Sequence, residues 1–261
     1  VITSLSGLAV WQSALVMIVL PVVVVMILTY VVRRSVGLDR LGHNNEVAGF
    51  KYAVLGVIYA VLLGFAVIVV WENFRDGQAA VMNEASAIST IYRLAEGVDP
   101  AAAAIVRLAD VRYGETVVTQ EASAMAMGQA SPAATISLSG LYEAVLAAKP
   151  ATLEQSDAFQ NLLVSLQTLS DARRDRLELA GSTVPEVIWL VLFGGAVLNV
   201  AFLLFFGTRH TWVQMVMSGM LTAVIFMALF SIVMIDHPFA GSVRVSMEPI
   251  AYVLEHVAQQ D

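Results

Sequence analysis

Between Val1 and Val32 the chain carries no charged side chain at all. A run of that length cannot be a water-facing helix or strand, because a solvated face needs polar groups at a regular period. It is long enough to cross a bilayer core, which takes ~20 apolar residues of helix. Three further runs reach that length, so four membrane spans are predicted: Leu8–Val32, Phe50–Trp71, Val187–Phe206 and Trp212–Ile235. Tryptophan favours the headgroup level, where its ring is buried and its N–H stays wet. Trp11, Trp71, Trp189 and Trp212 lie at or near span ends, and the chain has no other tryptophan. The expected fold is an all-α membrane protein with four transmembrane helices in two hairpins.

Composition agrees with this and shows where the polar part lies. Apolar residues make up 58 % and charged residues 13 %, too few charges for a wholly soluble chain. Most carboxylates fall between Glu72 and Glu186, so the net charge of −7 belongs to the segment between spans two and three. That balance argues against a nucleic-acid partner. The absence of cysteine excludes disulfides, thiolate metal sites and thiol nucleophiles. The first span has no basic flank before it and is followed by Arg33 and Arg34, the pattern of an anchor rather than a cleaved signal. Short loops after spans one and three carry Arg33, Arg34, Arg40 and Arg209, with Lys51 just inside span two. Basic short loops are normally cytoplasmic. The expected placement is a multi-pass protein of the cell (inner) membrane with its insert extracytoplasmic. Arg75 and the cluster Arg173, Arg174, Arg176 flank the insert, but segments beyond ~60 residues are largely exempt from the rule.

The boundaries read as a first transmembrane hairpin over 1–71, a polar helical bundle over 72–185, a second hairpin over 186–235, and a C-terminal turn and short amphipathic helix over 236–261. Within the insert, span two is expected to continue as helix through Ile88, Ile91 and Leu94 to Gly97. Asp99-Pro100 and Ser131-Pro132 are N-cap and first-turn proline pairs. They open helices carrying Ile105, Leu108 and Val111, then Ile136, Leu141 and Val145. Thr152 with Gln155 resembles a capping box. It precedes an apolar stripe of Phe159, Leu162, Leu163, Leu166, Leu169 and Leu177. A four-helix bundle whose first and last helices run into spans two and three is the simplest arrangement. At the C-terminus, Ser246 is placed to cap a helix striped by Ile250, Val253, Leu254 and Val257.

Span two carries the most informative pattern. Gly49, Ala53, Gly56, Ala60 and Gly64 are spaced to share one helix face. In lipid such a seam lets another helix approach closely. It serves either packing within the chain against span one or three, or repetition around an oligomer axis where it lines a narrow apolar pore. Tyr52 and Tyr59, one heptad apart on a neighbouring face, would add hydroxyls. Asn199, Ser218, Thr222 and Ser231 are uncharged polar residues within spans, suited to interhelical hydrogen bonds. No Asp, Glu, Lys, Arg or His lies mid-span, which disfavours a proton-coupled transporter. Charges gather at the mouths instead: Glu46 in His43-Asn44-Asn45-Glu46 on one side, Glu72, Arg75, Asp76 and Asp236-His237 on the other. They suit capping and interfacial salt bridges or, in an oligomer, ion-filtering rings. No nucleophile–base set, phosphate loop or metal spacing is present, so neither an enzyme nor a cofactor is expected.

Three passages also resemble a known family. They are His43-Asn-Asn-Glu-Val-Ala-Gly-Phe50 leading into Gly56–Gly64 and Trp71-Glu72; Arg173-Arg-Asp-Arg-Leu177 before Pro185; and Asp236-His-Pro-Phe239-Ala-Gly241 with Val243–Ser246. Over roughly residues 43 to 258 the chain is similar to the uncharacterised bacterial membrane family termed bestrophin-like. The resemblance implies kinship with bestrophins, pentameric anion channels whose second span lines a narrow neck. Ala53, Gly56, Ala60 and Gly64 would then face the conduit. The chain departs from that pattern in three ways. Its seam is small where the bestrophin neck is bulky, it lacks the acidic calcium clasp of eukaryotic members, and its basic loops point the insert the opposite way.

The expected function is an oligomeric ion channel, anion-conducting by resemblance only, whose partners are the bilayer, inorganic ions and its own copies. The other reading is a non-conducting membrane scaffold, sensor or accessory subunit of a larger complex.

Overall fold

The computed structural model describes residues 9–36, 41 and 45–257, and every regular element among them is helical. His43, Asn44 and Arg40 lie outside the described residues. The chain divides into two compact units. The first takes residues up to Glu72, Thr183–Asp236 and Gly241–Val243; the second takes Asn73–Ser182, His237–Ala240 and residues from Arg244 on.

Four helices are long and apolar enough to cross a membrane. The first, α1, is Val10–Val36. It contains a π turn at Leu15–Val19, closed by the Leu20 N–H donating to the Leu15 carbonyl. Pro21 explains the turn: it lacks the N–H that would reach back four residues, and its ring crowds the preceding carbonyl. The second, α2, is Asn45–Leu94, one uninterrupted helix with no proline, ending in a 3₁₀ turn at Ala95–Gly97. Glu186–Leu203 and Thr211–Ile235 are the other two.

In the first unit, one apolar cluster draws on all four, including Met17, Tyr59, Leu63, Val70, Leu192, Ala196, Leu229 and Ile232. The first of these helices lies along the last, where a Cβ on Gly219 would meet Met26 at 3.3 Å. The short connection after Leu203 is tied down by side chains. Asn45 Nδ2 donates to the Gly207 carbonyl at 2.6 Å, and the Gly207 N–H donates to Asn45 Oδ1 at 3.2 Å. Arg33 donates to the carbonyls of Thr208 and Arg209 and to Gln214 Oε1. Three tryptophans, Trp11, Trp71 and Trp212, are exposed as anchors should be. Trp189 is not: it is buried and stacks on Phe193, because its helix begins at Glu186 and carries it into the apolar cluster.

In the second unit, the end of α2 packs with α3 (Pro100–Thr116), α4 (Pro132–Ala147) and α5 (Leu153–Gly181). The local start signals work as expected. Asp99 accepts from the N–H groups of Ala101 and Ala102, and Ser131 Oγ accepts from Ala134 N. Thr152 Oγ1 accepts from Gln155 N, while Gln155 reaches back to Ala151 N rather than to Thr152 itself. Leu162, Leu166 and Leu169 are fully buried. Ile105, Leu108 and Ile136 are not; they face outward, and the buried stripe of α3 is Ala103, Val106, Asp110, Tyr113 and Gly114. The last bundle helix does not run into span three. It stops at Gly181, and Pro185 caps a new helix, α6 (Glu186–Leu203), followed by α7 (Thr211–Ile235). Finally α8, Glu248–Val257, is capped by Ser246 and joins the bundle core through Ile250 and Leu254.

Candidate functional site

The membrane part of α2 has two faces with different company. One is buried within the chain and holds Tyr59, Leu63, Ala66 and Val70. The Tyr59 hydroxyl donates to the Leu192 carbonyl of α6 at 2.8 Å. Gly195 makes room for that ring, since a Cβ there would lie 2.5 Å from Tyr59 Cε2. Tyr52 lies with Phe202 and Phe206 at ring-centroid distances of 5.6 and 5.7 Å. Tyr59 therefore serves the α2–α6 contact with both ring and hydroxyl, and Tyr52 joins Phe202 of α6 through its ring.

The seam is the second face, roughly 90° away at 100° per residue. A Cβ on Gly49 would lie 3.9 Å from Phe206, whereas one on Gly56 or Gly64 would meet nothing within 4 Å. Ala53, Ala60 and Gly64 are exposed and Gly56 is only partly covered. Among the described residues, no helix of the same chain fills the seam at Gly56 or Gly64. Its flank is bulky and equally uncovered, with Phe50, Val57 and Ile68 exposed.

The other sequence-chosen residues have definite places. Asn199 Nδ2 donates to the Gly195 carbonyl and Thr222 Oγ1 to the Ser218 carbonyl, one turn back on their own helices rather than across to another. Such back-bonding satisfies a polar group in lipid without a partner helix. Glu46 is exposed in the first turn of α2, where a carboxylate complements the helix dipole. Glu72 is exposed, and Asp76 sits 3.7 Å from Arg75 in a surface pair of little energetic weight. Asp236 is no open mouth charge: it is buried, and its Oδ1 accepts the Val184 N–H at 2.9 Å.

Sequence reading missed a buried ionic network in the second unit. Arg176, with no exposed surface, pairs with Glu84 Oε2 at 2.6 Å and Glu121 Oε2 at 2.7 Å. Arg173 pairs with Glu121 Oε1 at 2.6 Å and donates to Thr135 Oγ1. The Tyr113 hydroxyl donates to Glu84 Oε1 at 2.5 Å. Glu121 is presented by a π turn, Val117–Glu121, which inserts one extra residue and rotates the carboxylate inward. Two arginines face two glutamates, so the cluster is neutral. Burial alone would raise Glu121, but hydrogen bonds from Arg173 and the Arg176 charge outweigh it and hold its carboxyl below the ordinary value. Burial, then the Glu84 charge, push the Tyr113 phenol well up. Asp110 lies on the same helix, fully buried, and neither of its oxygens has a hydrogen-bond partner among the described residues. Burial pushes its carboxyl well above the usual range.

Four helices fit to cross a membrane, an open small-residue seam on one of them and a polar helical unit define an integral membrane protein of all-helical class. A profile of the Bestrophin-like domain matches residues 19–250, and the chain belongs to that family. Its fold is shared by crystal structures of a bacterial bestrophin homologue from Klebsiella pneumoniae. One variant has a TM-score of 0.72 at 14 % identity, covering 93 % of this chain and 98 % of the other. A second has a TM-score of 0.73 at 16 % identity, covering 95 % and 96 %. Comparison with curated protein sequences finds no match.

Proposed function

We propose that the protein is a homo-oligomeric ion channel in which the membrane part of α2 lines the conduit. The observation that carries this reading is the open seam. A face of small residues is costly to leave against lipid tails, which fill it poorly, and it gains most from close approach of another helix. Among the described residues no helix of the same chain takes that place, so copies of α2 gathered about an axis are the natural occupants. Beside the seam, Val57 and Ile68 would supply an apolar constriction that gates by dewetting. Membership of the Bestrophin-like family supports conduction, and anion selectivity and a pentamer follow by analogy with bestrophins. In the second unit, Ile105, Leu108 and Ile136 line an uncovered groove of about 490 Å³ between α3 and α4, a surface suited to burial between copies. The basic short loops favour an extracytoplasmic insert in the inner membrane.

The test is ion flux from liposomes holding the purified protein. Chloride efflux above that of empty vesicles is expected, with cation flux measured in parallel to set selectivity. No flux of any common ion across varied pH and calcium would overturn the channel reading in favour of a non-conducting scaffold or accessory subunit.

A further inference from the structure

Within the first unit, the ends of α1 and α7 flank an open cavity of about 220 Å³ lined by Tyr30, Arg33, Arg34 and Thr211. A water occupies about 30 Å³, so the space holds a group several waters in size. Every polar end on its wall is a hydrogen-bond donor: two guanidiniums and two hydroxyls. Arg33 is anchored by oxygens of Thr208, Arg209 and Gln214, all uncharged, so its position is fixed without a carboxylate partner among the described residues. Arg34 has no carboxylate within ion-pair distance among the described residues. The cavity lies where the apolar run of α1 ends and beside Trp212, which is 68 % exposed, the level at which headgroups lie.

We propose that this cavity binds the phosphate of a net-anionic phospholipid headgroup. Guanidinium forks match phosphate oxygens in pairs. A pocket of donors with uncompensated positive charge favours an acceptor-only anion and repels the ammonium of a zwitterionic headgroup. Arg33 acts as the fixed floor and Arg34 as the closing arm.

The experiment uses the full chain in detergent, with retained lipid read by native mass spectrometry after exchange into equal amounts of phosphatidylglycerol and phosphatidylcholine. Wild type is expected to retain phosphatidylglycerol preferentially. Arg34→Gln, which leaves the Arg33 anchor bonds in place, should lower that preference about fivefold, the usual weight of one basic residue at an anionic surface. A parallel arm adds inorganic phosphate to lipid-free protein and follows thermal unfolding. Stabilisation of wild type but not of Arg34→Gln, with no lipid preference, would keep the phosphate site and assign it to a soluble anion, overturning the lipid source. Equal retention of both lipids with no response to phosphate would overturn the proposal.

Discussion

Arg176 Nε lies 2.6 Å from Glu84 Oε2, and neither side chain reaches solvent. The two residues are 92 positions apart in the chain. Through them α5 is joined to the end of α2, and through Glu121 to the π turn that follows α3. Its second effect is on register. Bidentate guanidinium contacts fix the helices along their axes more narrowly than apolar contacts do, because a slide of one turn would strand a charge.

Removing the arginine alone should therefore be costly. Arg176→Met leaves two carboxylates facing apolar surroundings with only Arg173 nearby, and a loss of about 3–5 kcal/mol is expected. Pairing it with Glu84→Gln should recover part of that loss, since one orphaned charge is then gone. Thermal unfolding of detergent-solubilised protein checks both. A single variant as stable as wild type would mean that the network holds nothing together.

Glu121 predicts a pH dependence with a definite sign. Its folded-state value is depressed below the ordinary 4.5, so the unfolded chain takes up its proton first as acid is added. Its contribution is present above about pH 4.5 and is lost as pH falls through the folded value. Glu121→Gln should be less stable than wild type at pH 7, and the difference should hold down to about pH 4.5 and shrink only below it in unfolding scans run at a series of pH values.

Asp110 predicts the opposite slope. Its folded value is raised above the ordinary 3.8, so the folded state holds the proton longer and loses relative stability as pH rises past that point. Asp110→Leu removes a buried polar group with no hydrogen-bond partner among the described residues and should gain about 1–3 kcal/mol at pH 7. The gain should diminish towards pH 4. A variant destabilised across the range would show that the carboxyl has a partner that matters.

These two carboxylates also show what was legible in the sequence. Spans and caps were readable because they depend on local runs: about twenty apolar residues for a span, or Asp99-Pro100 for a helix start. The sides of the insert helices were less so. Ile105 and Leu108 are the aliphatic residues of α3 that the sequence offers as its apolar side, yet α3 turns Ala103, Val106 and Tyr113 inward and leaves both outside. Glu84 and Glu121 sit among Ala, Ser and Gln neighbours, where a charge reads as solvated. A usable signal existed in the spacing. Glu84, Ile88 and Ile91 fall on one stripe, as do Tyr113, Val117 and Glu121, and both stripes lead inward. Trp189 followed the same logic in reverse, since a tryptophan near a span end anchors only if its face is the outer one.

Gly195 and Gly194 make a matched pair for the α2–α6 contact. A Cβ on Gly195 would press on the Tyr59 ring at 2.5 Å, whereas one on Gly194 meets nothing within 4 Å. Gly195→Ala should cost about 1–3 kcal/mol through overpacking, and Gly194→Ala should be near neutral. Adding Tyr59→Leu to Gly195→Ala should restore part of the loss. Equal effects at the two glycines, measured by thermal unfolding, would contradict the observed facing of α6.

The same reasoning makes Gly56 diagnostic of the oligomer. Within one chain a Cβ there touches nothing, so Gly56→Ala should fold as wild type does. Any effect of a larger side chain must then come from outside the chain. Gly56→Leu projects into the seam that copies of α2 are proposed to share, and two measurements separate the consequences. If the seam lines a conduit, chloride flux falls at least tenfold while native mass spectrometry shows an unchanged oligomer. If the seam is a subunit contact, the oligomer dissociates and flux is lost with it. Unchanged flux and an unchanged oligomer would mean that the seam faces lipid, and the assignment of α2 as the pore helix would fail. Gly64→Leu, two turns further along the same face, should reproduce whichever outcome Gly56→Leu gives, because both positions lie on one uncovered stripe.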